Sequence, residues 1–245
     1  MKKDIKWVRS LQQKKFRVES GCFVVEGKKG VEEGLRSGFE VHSVYSADEG
    51  WSSSEFQVLS VNTREMEQMS SLNTPSPYLA VFKQRNDLPD FVSAPIVLVL
   101  DGIADPGNMG TIVRTAEWFG ISAILCTHDC VELYNPKVIQ ATMGSIFRMR
   151  VCYASENDIA AQLRTHGYYV AAADLAGSSI YQFDCNRRLA FVIGSESHGV
   201  RSSMRSITDE FVTIPRFGQA ESLNASVAAA LFMSEYRSRG MGNAD

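Results

Sequence analysis

The sequence predicts an α/β protein of two domains, the second built on a parallel sheet. Three observations carry that expectation. Apolar runs of strand length alternate with segments of helical spacing along most of the 245 residues. The run Ile96-Val97-Leu98-Val99-Leu100 is apolar without interruption, as strands covered on both faces are, and such strands belong chiefly to parallel sheets. The polar stretch Gln84-Arg85-Asn86-Asp87-Leu88-Pro89-Asp90, with Pro95 soon after, breaks the alternation once and reads as a linker. Domains are therefore expected at residues 1–88 and 94–245.

Residues 4–16 have the spacing of one amphipathic helix, with Ile5, Val8, Leu11 and Trp7 inward and Lys3, Lys6, Arg9, Lys14, Lys15 and Arg17 outward. Residues 22–26, 41–45, 57–61 and 78–83 read as strands. Residues 27–37 read as a helix stopped before Gly38, and 63–70 as a helix behind an Asn62 or Thr63 cap. This alternation makes a small three-layer α/β domain. In the second domain strands are expected at 96–100 and near 123–126, 168–172, 189–193 and 211–214. Helices are expected at 110–119, stopped by Gly120, at 136–142 behind Asn135, and at 157–166, stopped by Gly167. The last helix opens at Ser222 or Asn224, whose side chains can take up free N–H groups. Ala225, Ala228, Ala229 and Ala230 give it a face nearly bare of side chains, where another backbone can come close, while Val227, Leu231, Phe232 and Tyr236 follow helical spacing. Trp118, Phe119, Phe232 and Met233 are more apolar surface than one domain is expected to cover, which points to a symmetric dimer.

A composition of 44% hydrophobic and 22% charged residues is that of an ordinary globular chain with a sizeable core. At a net charge of -3, any contact with nucleic acid must come from a local basic surface, and residues 4–16 are where positive charge concentrates. No secretory signal follows Met1-Lys2-Lys3-Asp4 and no run reaches the apolar length of a membrane helix, so a cytoplasmic protein is expected. Five cysteines without a C-x-x-C pair fit reduced thiols, and no metal site is expected from Cys126, His128 and Cys130.

Three strand-to-helix loops, at 101–110, 194–200 and 215–224, are richer in Gly, Asn and acid than turns require. All should open at the carboxyl edge of the second sheet, where ligands of open α/β sheets bind. None is a G-x-G-x-x-G or Walker loop, which removes the usual dinucleotide and triphosphate readings.

The run Asp105-Pro106-Gly107-Asn108-Met109-Gly110-Thr111-Ile112-Val113-Arg114-Thr115-Ala116, with Phe119-Gly120, resembles the first signature of the SpoU (TrmH-type) branch of the SPOUT RNA methyltransferases. Phe191-Val192-Ile193-Gly194-Ser195-Glu196 resembles the second, and Ile214-Pro215 through Ser222-Leu223-Asn224-Ala225-Ser226 the third. The family commonly has Glu-Gly where this chain has Glu196-Ser197. The first domain is similar to the ribosomal-protein-L30-like substrate-binding domain, with Val24-Val25-Glu26-Gly27 its most familiar part. The resemblance implies a parallel-sheet SPOUT domain with a trefoil knot at its C-terminus, S-adenosyl-L-methionine bound in the knot, and a homodimer. It implies backbone contacts to the cofactor from Gly194, Ile214 and Leu223, and a catalytic constellation of Asn108, Arg114, Glu196, Ser222 and Asn224. The reaction implied is methyl transfer to a ribose 2′-hydroxyl of structured RNA, ribosomal or transfer RNA, selected by the first domain; neither DNA nor a membrane is an expected partner. Taken singly, Asn108 can merely shape a turn, Glu196 can be a turn acid, and Arg114 can pair with Glu117 one helical turn away. The alternatives are a catalytically silent RNA-binding or assembly factor with the same fold, and a flavodoxin-like small-molecule enzyme.

Overall fold

The structure, a computed structural model, describes residues 2–85, 90–91, 93–121 and 123–240; residues 86–89 of the expected linker lie outside that set. In chain order the elements are α1 (Lys2–Ser10), α2 (Lys14–Ser20), β1 (Cys22–Glu26), α3 (Lys28–Arg36), β2 (Val41–Ser46), β3 (Val58–Ser60), α4 (Thr63–Met69), β4 (Tyr78–Lys83), β5 (Ile96–Asp101) and α5 (Pro106–Trp118). There follow β6 (Ala123–Thr127), α6 (Pro136–Thr142), a single 3-10 turn (Ser145–Phe147), β7 (Arg150–Ala154), α7 (Glu156–Thr165), β8 (Tyr169–Ser179), β9 (Leu189–Gly194), α8 (Ser202–Arg205), β10 (Glu210–Thr213) and α9 (Ala225–Gly240). They form two compact units. One comprises Met1–Asn86 with Glu132–Arg148, the other Asp87–Val131 with Met149–Asp245. Residues 132–148, read from sequence as part of the second domain, thus pack with the first.

The first unit is a four-stranded sheet of order β1-β4-β2-β3, in which β4 runs antiparallel to both neighbours and β3 parallel to β2. Alternation along β4 sends Leu79 and Val81 to a cluster with Ile5, Val8 and Leu11 of the N-terminal segment and Met66 and Met69 of α4. On the other face the ring of Phe23 meets Phe39, Phe82, Tyr134 and Phe147, the last two carried in by residues 132–148. The α3 helix can lie this close because Gly34 has no side chain: a Cβ there would stand 2.4 Å from Phe82 and 2.6 Å from Phe147.

The single helix expected at 4–16 is in fact two, α1 and α2, separated by a turn in which Leu11 N–H bonds Val8 O and Gln12 N–H bonds Arg9 O. The reason lies in Arg17, expected outward but only 2% exposed. Its guanidinium donates to Leu11 O at 2.7 Å and to both oxygens of Glu132 at 2.9 and 2.6 Å. A partner 115 positions away makes the charge tolerable inside, and the turn supplies the carbonyl that completes its bonds.

The second unit is a six-stranded, wholly parallel sheet of order β10-β8-β9-β5-β6-β7. From central β5 the chain builds outward through β6 and β7, then returns to add β8, β9 and β10 on the opposite side. The direction of winding therefore reverses between β5 and β9, which is where such sheets open a crevice at their carboxyl edge. After β10 the chain comes back across the sheet, so that α9 packs on β9 and beside α5; this is the segment for which the resemblance implies a knot. Ala225, Ala229, Phe232, Met233 and Tyr236 form its buried face. Phe232 and Met233, expected at an exposed edge, are inside, whereas Val227 and Leu231 face outward at 46% and 39% exposure. The small buried Ala229 lets the backbone come near enough for Phe232 and Met233 to enter the core.

β7 and α8 had no counterpart in the sequence reading, and β8 runs on to Ser179 past the expected end near 172. β7 is an edge strand with no fully buried residue, so its apolar signal is weak. The β8 extension pairs Ser178 and Ser179 with Val212 and Thr213 after a register shift, with polar residues that read as a loop. No helix among the described residues is long and apolar enough to cross a membrane, and the five cysteines are free thiols.

Breaking the Arg17–Glu132 pair should be expensive because it strands a buried charge: Glu132→Ala is expected to lower stability by about 3–5 kcal/mol. The exposed pair Lys15–Glu19, at 3.9 Å, serves as control, and Glu19→Ala should cost under about 1 kcal/mol. Urea denaturation of the two variants checks both values.

Candidate active site

The site grows from the ends of β5 and β9, which lie side by side with Asp101 in register with Gly194. Asp101 closes a strand whose residues are all buried, and it is itself 1% exposed. Its carboxylate accepts the backbone N–H of Arg201 at 2.8 Å and the Nε–H of the same residue at 2.6 Å. Arg201 continues to Asp129, at 3.1 Å, and to Glu156, at 2.9 Å. Burial works to raise the Asp129 carboxyl, but bonds from Thr127, from its own backbone and from Arg201 leave it lowered; the bond to Asp101 pushes Arg201 up. Sequence reasoning passed over both Asp101 and Arg201. An acid ending an unbroken apolar strand was a usable signal for the first; Arg201 had none.

Between these anchors the chain from 194 to 201 makes a tight loop. Gly199, at φ +63°, donates its N–H to Ser195 O at 2.8 Å. The returning backbone presses on Gly194 so closely that a Cβ there would stand 2.1 Å from the carbonyl carbon of Gly199 and 2.3 Å from the nitrogen of Val200. Ser197, where the family commonly has glycine, is accommodated: its Oγ lies 2.8 Å from His198 Nδ1 at the exposed tip.

Glu196 stands on this loop, and two helix starts converge on it. The α5 helix begins at Pro106, inside the stretch read as loop, capped by Asp105, whose side chain accepts Asn108 N–H at 2.8 Å. Asn108 thus sits in the first helical turn, and its Nδ2 donates to Glu196 Oε1 at 3.0 Å. The α9 helix is capped by Asn224, whose Oδ1 accepts from Ser226 N–H, Ser226 Oγ and Val227 N–H. Those donors fix which way the amide points, so its Nδ2 is the end that reaches Asn108 Oδ1 at 2.9 Å and Glu196 Oε1 at 2.6 Å. Ala225 N–H completes the set at 3.2 Å from the same oxygen. Glu196 Oε1 therefore collects three donors, while Oε2 has no hydrogen-bond partner among the described residues.

A cavity of about 700 Å³ opens beside this cluster. Gly194, Glu196, Ile214, Ser222 and Leu223 line it, with Pro215, Leu231 and Phe232 among the apolar walls. Of the eight residues expected at the site, seven are accounted for in this way, as cluster or as wall. Arg114 is not. It is exposed on α5, six positions past Asn108 and so about 240° further round the helix. Among the described residues it forms no ion pair, with Glu117 or any other acid.

Residues 95–234 match the SpoU rRNA Methylase family, and residues 2–80 match the MRM3-like substrate binding domain. The 23S rRNA (guanosine(2553)-2'-O)-methyltransferase RlmP of Bacillus subtilis is 30% identical over 94% of this chain and 94% of its own. The 23S rRNA (guanosine-2'-O-)-methyltransferase RlmB of Escherichia coli is 33% identical over 62% of this chain and 65% of its own. Among solved structures, the AdoMet-bound rRNA methyltransferase of Sinorhizobium meliloti superposes with a TM-score of 0.87 at 28% identity, covering 96% of this chain and 94% of that one. The three stretches that meet at this sheet edge all lie within the matched residues 95–234, and the chain belongs to the SpoU rRNA methylase family.

Proposed function

We propose that this protein transfers a methyl group from S-adenosylmethionine to a ribose 2′-hydroxyl of ribosomal RNA, that it works as a cytoplasmic homodimer, and that its N-terminal domain, expected from sequence at residues 1–88, holds the RNA. The observation that carries this reading is the Glu196 carboxylate beside the cavity, with one oxygen saturated by three N–H donors and the other open. The chemistry and substrate classes are those that the names of the Bacillus and Escherichia relatives state for those proteins.

The residues present fit the cofactor. At about 700 Å³ the cavity falls within the ~300–1,000 Å³ common for small-molecule sites, and it combines apolar walls with a few polar groups. Main-chain groups of Gly194, Ile214 and Leu223, all on the cavity wall, would hold the cofactor. When bound, S-adenosylmethionine supplies a methyl group on a positively charged sulfur. A hydroxyl attacking that group must shed its proton, and Glu196 Oε2, left open on a residue that lines the cavity, would accept it or hold the hydroxyl oriented. Asn108 and Asn224 keep the carboxylate fixed, and Ser222 adds a hydroxyl on the cavity wall. An arginine is a poor proton acceptor, since its delocalised guanidinium holds its proton under all ordinary conditions. Arg114 is therefore assigned to electrostatics: its fork holds a phosphate next to the target ribose and steadies the charge that builds on the attacking oxygen.

Homodimerisation gives Arg114 its place. Trp118, one turn on and on the same side of α5, is 83% exposed, and Val227 is exposed on neighbouring α9. A second copy covering these apolar side chains sets Arg114 at the interface. In the first unit Lys6, Arg9, Lys14 and Lys15 are exposed and can face RNA phosphates, Lys15 from an exposed pair with Glu19, while Arg17 is used in the fold.

Calorimetry with S-adenosylmethionine is expected to show binding, and saturating cofactor to raise the melting temperature, as linkage requires; no heat and no shift would sink the methyl-transfer reading. With RNA saturating in single turnover, Arg114→Ala should lose about a hundredfold or more in rate. Arg114→Lys, which keeps the charge, should retain more, with cofactor affinity unchanged in both; equal losses would mean that charge alone does not suffice. Light scattering at micromolar concentration should report twice the chain mass, and Trp118→Glu should shift the protein to monomer.

A further inference from the structure

We infer that Arg201 is a positioning residue for this reaction: by holding the far end of the 194–201 loop on Asp101, it sets where the Glu196 carboxylate stands. The inference rests on the methyl-transfer reading for its kinetic part. Both ends of the loop are tied to one residue of β5. The near end, Gly194, is in ladder register with Asp101, and the far end, Arg201, delivers its backbone N–H and its Nε–H to the two Asp101 oxygens. Within that span the Ser195–Gly199 bond and the backbone pressed against Gly194 leave little slack. Glu196 has no freedom to settle elsewhere while both anchors hold.

Arg201 does not line the cavity, so it acts through the loop and not by touching substrate. Its reach to Asp129, in the turn after β6, and to Glu156, in the first turn of α7, makes one guanidinium the shared partner of three carboxylates from a strand end, a turn and a helix start. Lysine at this position would keep the backbone bond and the charge. It could not span the three acids, because an ammonium is a single point and the guanidinium is a planar fork with five donors. The expected consequence is a loop that still folds but lets Glu196 drift from Asn108, Asn224 and the Ala225 N–H.

The first test needs neither cofactor nor RNA. In amide hydrogen exchange of Arg201→Lys, the Ala225 amide, whose acceptor is Glu196 Oε1, should lose about tenfold or more of its protection while β5 and β9 keep theirs. Unchanged exchange at Ala225, or an equal rise across the sheet, overturns the inference. The second test is single-turnover methylation of an unmethylated 23S rRNA transcript. Arg201→Lys should lower the rate by about tenfold or more, with the KM for RNA unchanged within about twofold. In a Glu196→Gln background the same substitution should change the residual rate by less than about twofold, because the two residues act through one position. Equal losses in both backgrounds would mean that Arg201 acts independently of Glu196. A native protein that methylates no RNA would overturn the methyl-transfer reading instead, and the exchange measurement then decides on Arg201 alone. Should Arg201→Lys fail to fold, Asp101→Asn, which keeps the shape and removes the charge, goes through the same two comparisons.

Discussion

At the carboxyl end of β5 a charge is held where water does not reach. Asp101 ends a strand of five buried aliphatic residues, and an uncompensated carboxylate in that position would cost several kcal/mol. Arg201 compensates it with a main-chain and a side-chain donor, and in doing so decides the path of the loop that follows β9. That path presses Gly199 and Val200 onto Gly194, which is why no residue with a Cβ fits there. The position of Glu196, one side of the cavity and the direction in which α8 leaves all descend from this one compensated charge.

Around Glu196 the physics is that of helix starts. The first turns of α5 and α9 each leave N–H groups without helical partners and carry the positive ends of the two helices, which favours an anion between them. The α9 helix offers Ala225 N–H directly; α5 offers Asn108 from its first turn. Asn224 does two things with one amide, its oxygen capping α9 and its nitrogen holding Asn108 and Glu196. Because each donor in the chain of bonds is used by a defined acceptor, a change at any member propagates to the carboxylate. Arg114 stands apart from this cluster, on the α5 side that also exposes Trp118, so the constellation that the resemblance groups as one divides in space into a fixed core and a detached cation.

Much of the fold was legible locally. Asn135 ahead of α6, Asn62 ahead of α4, and left-handed glycines at 120 and 167 mark helix ends through bonds to nearby backbone, so a short window of sequence contains the whole interaction. The caps at Asp105 and Ser155 were not read, and the helices they open were expected to start later, at 110 and 157. The unbroken apolar run of β5 declared a strand covered on both faces. Local reading failed where a distant partner changed the meaning of a residue. Arg17 reads as a surface charge until Glu132 is beside it. Phe232 and Met233 read as an exposed edge until α9 is laid on β9, and the edge strand β7 has too little apolar character to stand out.

The sequence by itself determined the α/β class, most element positions and the three loops rich in Gly, Asn and acid, because strand and helix periodicity and capping are set by residues a few positions apart. It also determined that Asn108, Glu196 and Asn224 would lie at one sheet edge, since parallel strands deliver their loops to the same side. Only the tertiary structure decided that those three share a single carboxylate oxygen, that Arg114 does not join them, and that Asp101 and Arg201 hold the loop between. Residues 132–148 were likewise drawn into the first unit by Phe23 and Arg17, which they meet only after folding. Hydrogen bonds and ion pairs across 28 to 116 positions have no periodic trace in a chain; they exist only once burial has made an unpartnered polar group too costly to keep.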